Sequence, residues 1–179
     1  GNSSSASNDQ WQTSFDVHVM AQVYAARHTL PSMIERGEGH IINMASAAGL
    51  LSQIGDAAYS ATKHASIGFS ESLAITHGTD GIKVSVICPE YIATELTGYK
   101  DNDEHSLSDG TISVSQAADI IMDGIINEQF MITTHEGTLP SFKRKSDNYE
   151  HWISGMQKLR GKIINAVGST SLKDMHKLF

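Results

Sequence analysis

The chain has 179 residues, 40% of them apolar and 18% charged, and a net charge of −7. This is ordinary globular usage, which excludes wholesale disorder, and the acidic balance argues against a general nucleic-acid binder. No stretch reaches the 18 or more apolar residues of a membrane span.

Residues 1–8 read as a Ser-rich loop, with Asn8 or Asp9 as the expected cap of the helix that follows. From 10 to 35 the pattern is helical: Phe15, Val19 and Val23 fall at i+4 steps, and Met20, Tyr24, Leu30 and Met33 widen the stripe. Pro31 lies inside that window and predicts a kink or break near Leu30. After the turn Arg36-Gly37-Glu38-Gly39, residues 40–45 form a short β-branched run of the kind found in buried parallel strands. A loop punctuated by Gly49 and Gly55 leads to a second helix over 57–77, rich in Ala, Ser and Thr, with Gly78 as its stop.

Residues 82–88 predict a second strand, closed by Pro89. Residues 93–112 are acidic and carry Gly98 and Asp109-Gly110, the composition of a loop. Ser113-Val114-Ser115-Gln116 matches a capping box ahead of a third helix over 117–127. Residues 130–134 predict a third strand. Tyr149, Trp152, Ile153, Met156, Leu159 and Ile163 mark a final amphipathic helix, and 168–179 reads as a loose tail. Charge is uneven: residues 1–140 hold 5 Lys/Arg against 17 Asp/Glu, and residues 141–179 hold 8 against 3. The run Lys143-Arg144-Lys145 is too short to indicate nucleic acid. The basic end reads as a solvated helix face.

One cysteine, Cys88, rules out an intrachain disulfide framework and fits a reducing compartment, so the cytoplasm is the expected location. At a strand end it is expected to be buried and inert. The nine histidines show no metal-ligand spacing. Alternating helices and strands over 1–179 predict a single α/β domain with a parallel sheet and crossover helices. Ligands of such sheets bind beyond the carboxyl ends of the strands, which singles out Ala45-Ser46 and Cys88-Pro89-Glu90.

Chemistry converges on that edge. Tyr59 and Lys63 are spaced i, i+4 and share one helix face. A phenol with a pKa of about 10 is a poor base at neutral pH, and a nearby ammonium favours the phenolate. The pair therefore has the makings of an acid/base group, and Ser46 of a hydrogen-bond donor to a carbonyl oxygen or alkoxide. A serine hydrolase fits poorly, because neither Ser46 nor Ser70 sits in a Gly-x-Ser-x-Gly elbow.

Three segments together, Ile41-Ile42-Asn43-Met44-Ala45-Ser46-Ala47-Ala48-Gly49, Tyr59-Ser60-Ala61-Thr62-Lys63 and Val86-Ile87-Cys88-Pro89-Glu90-Tyr91-Ile92-Ala93-Thr94, resemble the short-chain dehydrogenase/reductase family. The resemblance covers about residues 11–134. It implies a Rossmann-type doubly wound parallel sheet and an NAD(P)-dependent oxidoreductase interconverting an alcohol and a ketone or aldehyde. It further implies Tyr59 as acid/base, Lys63 as the ligand of the nicotinamide ribose, and Ser46 as the group that orients the substrate carbonyl. Pro89, Ile92 and Thr94 would hold the nicotinamide end of the cofactor, and 93–112 would be the substrate loop. A homodimer or homotetramer, with a small-molecule substrate and no nucleic acid, is the implied assembly.

Three departures stand out. His18 occupies the place of the family's relay asparagine, and Pro89-Glu90 that of its Pro-Gly. The glycine-rich phosphate loop has no counterpart, so the chain is expected to lack two to three strand–helix units, and NAD cannot be told from NADP. The competing reading is a non-catalytic fragment or degenerate relative whose helices serve assembly. A dehalogenase on the related scaffold would carry arginine in place of Lys63.

Overall fold

A computed structural model of the chain describes residues 5–99, 107–171 and 175. It opens with α1 (Asn8–Phe15), whose cap is Ser7: its hydroxyl accepts from the Gln10 backbone N–H while the Gln10 side chain accepts from the Ser7 N–H. The expected caps Asn8 and Asp9 are instead the first helical residues, because the Ser-x-x-Gln box one residue earlier satisfies two orphan donors at once. A π-helical turn, Asp16–Met20, passes directly into α2 (Ala21–Arg36). Of the kink or break expected near Leu30, the break does not occur: the helix continues through Pro31 to Arg36. Pro31 is exposed, so the carbonyl it leaves unpaired has access to water, and the irregularity falls instead at His18.

Gly37, left-handed at φ 70°, ends α2 and feeds β1 (Gly39–Met44). A short helix α3 (Ala48–Leu51), not anticipated within the glycine-rich loop, precedes α4 (Ala57–His77), which Asp56 caps through the Tyr59 N–H. Next come β2 (Ile82–Cys88), α5 (Val114–Ile126) with the predicted Ser113–Gln116 capping box, and β3 (Met131–Thr133). Two further helices, α6 (Thr138–Asp147) and α7 (Tyr149–Val167), complete the order. The sequence signalled α7; the basic segment that forms α6 gave no apolar stripe to find.

The sheet is three-stranded and parallel in the order β1-β2-β3, with Gly39 opposite Ile82 and Val86 opposite Met131. Along β2, Ile82, Val84, Val86 and Cys88 alternate onto one face. There they meet Ala26 of α2 and Ile67 and Leu73 of α4, which with Ala45 and Leu50 form the buried core. The opposite face is covered at β3 by α5, whose Gly124 lies so close to Ile132 that a Cβ would meet its side chain at 2.8 Å. A Rossmann-like α/β fold is thus observed in part. The carboxyl edge of β1 and β2 opens onto the site.

Candidate active site

Met44 ends β1, and the chain turns through Ala45 and Ser46 into α3. The turn is held by Ala45 N–H to Ile87 O at 2.8 Å and Ala47 N–H to Pro89 O at 2.9 Å. Ser46 Oγ accepts from the Ala48 N–H at 3.1 Å and donates to Pro89 O over a long 3.3 Å. A better acceptor would readily replace that last contact, since hydrogen bonds of this length are weak. Gly49 lets α3 press against α4: a Cβ there would stand 2.6 Å from Lys63 O. The Ser46 turn and the Lys63 helix are therefore in register through backbone contact.

On α4, Tyr59 and Lys63 share a face as their spacing requires, with Lys63 Nζ 5.5 Å from the centre of the Tyr59 ring. Lys63 is buried and donates to Met44 O at 3.3 Å. Burial pushes its pKa below the usual lysine value. His18 meets Tyr59 edge to face, ring centres 5.4 Å apart at 89°. Thr62 Oγ1 donates to Ala58 O, so at 2.8 Å it accepts from His18 Nδ1, which leaves the Nε2 lone pair of the neutral ring unused by this bond. Burial, then the Lys63 charge, lower the His18 pKa, while Asp56 opposes them more weakly. The π turn around His18 is locked to α4 by Ser66 Oγ donating to His18 O at 2.7 Å. Such turns are rare and cluster at functional sites.

Ser46 and Tyr59 open into a cavity of about 440 Å³, and Pro89, Glu90 and Thr97 also line it. Ile92 and Thr94 do not reach this cavity. They sit just beyond, where Ile92 pairs with Ile112 and its carbonyl accepts from Thr97 Oγ1 at 2.7 Å. Residues 100–106 of the expected substrate loop lie outside the described residues, as does most of the tail beyond 171. Glu90, in place of the family's glycine, turns its carboxylate onto Thr138 Oγ1 in the first turn of α6, where the helix dipole favours negative charge. Its backbone N–H donates to Thr134 Oγ1 at 3.3 Å. Cys88 is fully buried and burial pushes its thiol up to about 12, the inert behaviour expected of it.

Sequence reasoning missed two contributors. Lys145, on α6, is buried with its Nζ donating to Leu50 O and, at 3.4 Å, to His64 Nε2. Trp152, Met156, Leu159 and Ile163 of α7 form a wall of the cavity. Their helical stripe was legible, but what it packs on was not.

The residues suit the nicotinamide half of a dinucleotide. The Lys63 ammonium has three N–H donors and gives one to Met44 O, which leaves two for ribose hydroxyls beside the Tyr59 phenol. A family model for short chain dehydrogenase matches residues 1–105. The 1-deoxy-11-beta-hydroxypentalenate dehydrogenase of Streptomyces avermitilis is 30% identical over 128 residues, 71% of this chain and 47% of its own length. Human estradiol 17-beta-dehydrogenase 11 is 34% identical over 127 residues, 69% of this chain and 41% of its own. This chain thus spans less than half the length of these curated relatives. A short chain dehydrogenase/reductase from Burkholderia phymatum, solved in complex with NAD, superposes with a TM-score of 0.71 at 25% identity, over 84% of this chain and 62% of the other. With the family model covering more than half of the chain and the Ser46, Tyr59 and Lys63 frame in the expected fold, the chain belongs to the short-chain dehydrogenase family.

Proposed function

We propose that the protein carrying this chain is an NAD(P)-dependent oxidoreductase that interconverts an alcohol and a ketone or aldehyde. The observation that carries the reading is the meeting of Ser46, Tyr59 and Lys63, with His18 behind them, at the carboxyl edge of the sheet. The names of the relatives as dehydrogenases support it. When bound, a nicotinamide cofactor supplies the two-electron partner, accepting hydride from the carbinol carbon or returning it.

The protein's own residues handle the proton. As the carbinol C–H bond breaks and the C=O bond forms, the hydroxyl proton passes to Tyr59 Oη, and in reduction it returns. Lys63 stabilises negative charge on that oxygen and would donate to the ribose, and Pro89, Ile92 and Thr94 would hold the carboxamide end of the cofactor. Ser46 gives up its long bond to Pro89 O and donates to the substrate oxygen. His18, neutral at pH 7 with its Nε2 lone pair unused by Thr62, carries the proton onward from Tyr59.

The expected unit is one domain over 1–179 working in the cytoplasm. Association into a homodimer or homotetramer through α2 and α4 is supported by Gly68, beside which a Cβ would meet nothing, and by exposed Tyr24 and Ile75.

The test is Tyr59→Phe in the protein that carries the chain. Loss of turnover with retained NADH binding, read as cofactor fluorescence, is expected. Unchanged turnover would overturn the assignment. Lys63→Ala is expected to move the rising limb of the alcohol-oxidation pH profile to higher pH, and an unshifted profile would remove Lys63 from its role.

A further inference from the structure

The far wall of the cavity is apolar: Trp152, Met156, Leu159 and Ile163 stand at i, i+4, i+7 and i+11 on α7, one continuous stripe, and Leu51 and Leu96 also line the space. Among the described residues no lysine or arginine lines it, and its one carboxylate, Glu90, is tied to Thr138. Ser46 and Tyr59 therefore face an apolar wall, and among the described residues the lining offers no cation to an anionic group. An organic anion placed against the apolar wall would give up hydration and meet no charged partner among the described residues.

The wall is a fixed part of the site. Lys145 of α6 anchors the α6–α7 hairpin to α3 and α4 through Leu50 O and His64 Nε2. His64 Nδ1 donates to Ser60 O at 2.8 Å, which leaves Nε2 free to accept from that lysine. Glu90 anchors the same hairpin through Thr138. Ile163, the innermost residue of the stripe, is 2% exposed.

We infer that the substrate is a neutral, bulky, apolar secondary alcohol or ketone whose oxygen lies at Ser46 and Tyr59 and whose hydrocarbon body lies along the α7 stripe, and that anionic analogues such as hydroxy acids bind more weakly. The redox half of this statement rests on the reading of the preceding subsection, and the binding half does not. The volume of about 440 Å³ lies within the ordinary range for a small-molecule site.

The test uses Trp152 as its own reporter. The protein is titrated with 2-decalone, a neutral bicyclic ketone, and with 2-oxooctanoate, a keto acid of similar apolar content, following Trp fluorescence. Trp152→Phe is the control that assigns the signal against Trp11. Decalone is expected to bind more tightly by roughly tenfold or more, the equivalent of about 1.4 kcal/mol. Met156→Lys, which places a cation in the stripe, is expected to weaken decalone by a similar factor and to strengthen the keto acid. If that variant fails to fold by circular dichroism, Met156→Ala serves: it is expected to weaken decalone several-fold. Equal or tighter binding of the keto acid by the unaltered protein, or decalone binding indifferent to position 156 in a folded variant, overturns the inference.

The two readings fail separately. Decalone binding with no turnover of decalone or decalol in the presence of NAD(P) overturns the oxidoreductase reading alone. Turnover of 2-oxooctanoate with no binding of decalone overturns the apolar substrate alone.

Discussion

His18 shows how much a single side chain takes from its surroundings. Burial and the Lys63 charge hold its pKa below 6.5, so between that folded value and 6.5 the unfolded chain binds a proton that the folded chain does not. The stability this imidazole contributes is therefore present above pH 6.5 and is lost as pH falls through the folded value. His18→Asn is expected to flatten the urea midpoint between pH 7 and 5, and a slope unchanged from the parent would count against the buried neutral ring. For the relay, His18→Phe is expected to lower turnover by roughly tenfold or more, within the span of proton-transfer effects, and His18→Asn to retain most of it. Cys88 acts with the opposite sign. With its thiol pushed up to about 12 from 9.0, its contribution is intact below pH 9 and fades as pH climbs toward 12. Cys88→Ala is expected to remove that alkaline loss, read as the thermal midpoint across pH 9–11. The Tyr59–Lys63 spacing was legible because helix geometry alone puts i and i+4 together. The Thr62 and Ser66 contacts of His18 join residues 44 and 48 apart in the chain, and no local pattern encodes them.

Among the elements, α4 and the strands β1 and β2 were the most readable, since caps, small-residue content and β-branched runs agree with one another there. The helices around them were less so. The Asp16–Met20 π turn had no signal in the sequence, the helix is not broken at Pro31, and α3 was hidden by glycine. Gly49 explains why that residue belongs there: only a missing side chain lets α3 approach Lys63 O so closely. Gly49→Val is expected to destabilise the fold by about 1–3 kcal/mol through overpacking, seen as a lower urea midpoint, and to displace Ser46. An unchanged midpoint would mean that α3 does not press on α4 as described. The hairpin of α6 and α7 depends on a buried lysine in a segment that reads as surface. Its basic composition was visible, and its burial was decided by Leu50 O and His64 from the facing elements.

Across the molecule, the face of the sheet away from α2 and α4 is uneven. Ile132 is covered by α5, while Ile42 and Met44 of β1 remain 43% and 50% exposed. Among the described residues β1 is also an edge of the sheet. Apolar edge strands favour association. Ile42→Lys is expected to reduce light scattering of the concentrated chain at constant ionic strength, and unaltered scattering would place the sticky surface elsewhere.

Patterns carried by neighbours in the chain were sufficient for the α/β alternation, the parallel sheet and the Ser46, Tyr59 and Lys63 frame, because strand and helix periods and capping are local. Packing alone decided the cavity. Leu51, Leu96 and the α7 stripe become one apolar wall only when segments over a hundred residues apart meet. Burial of Lys63, Cys88 and Lys145, and with it their altered proton affinity, arises from desolvation by residues that no stretch of sequence brings near them.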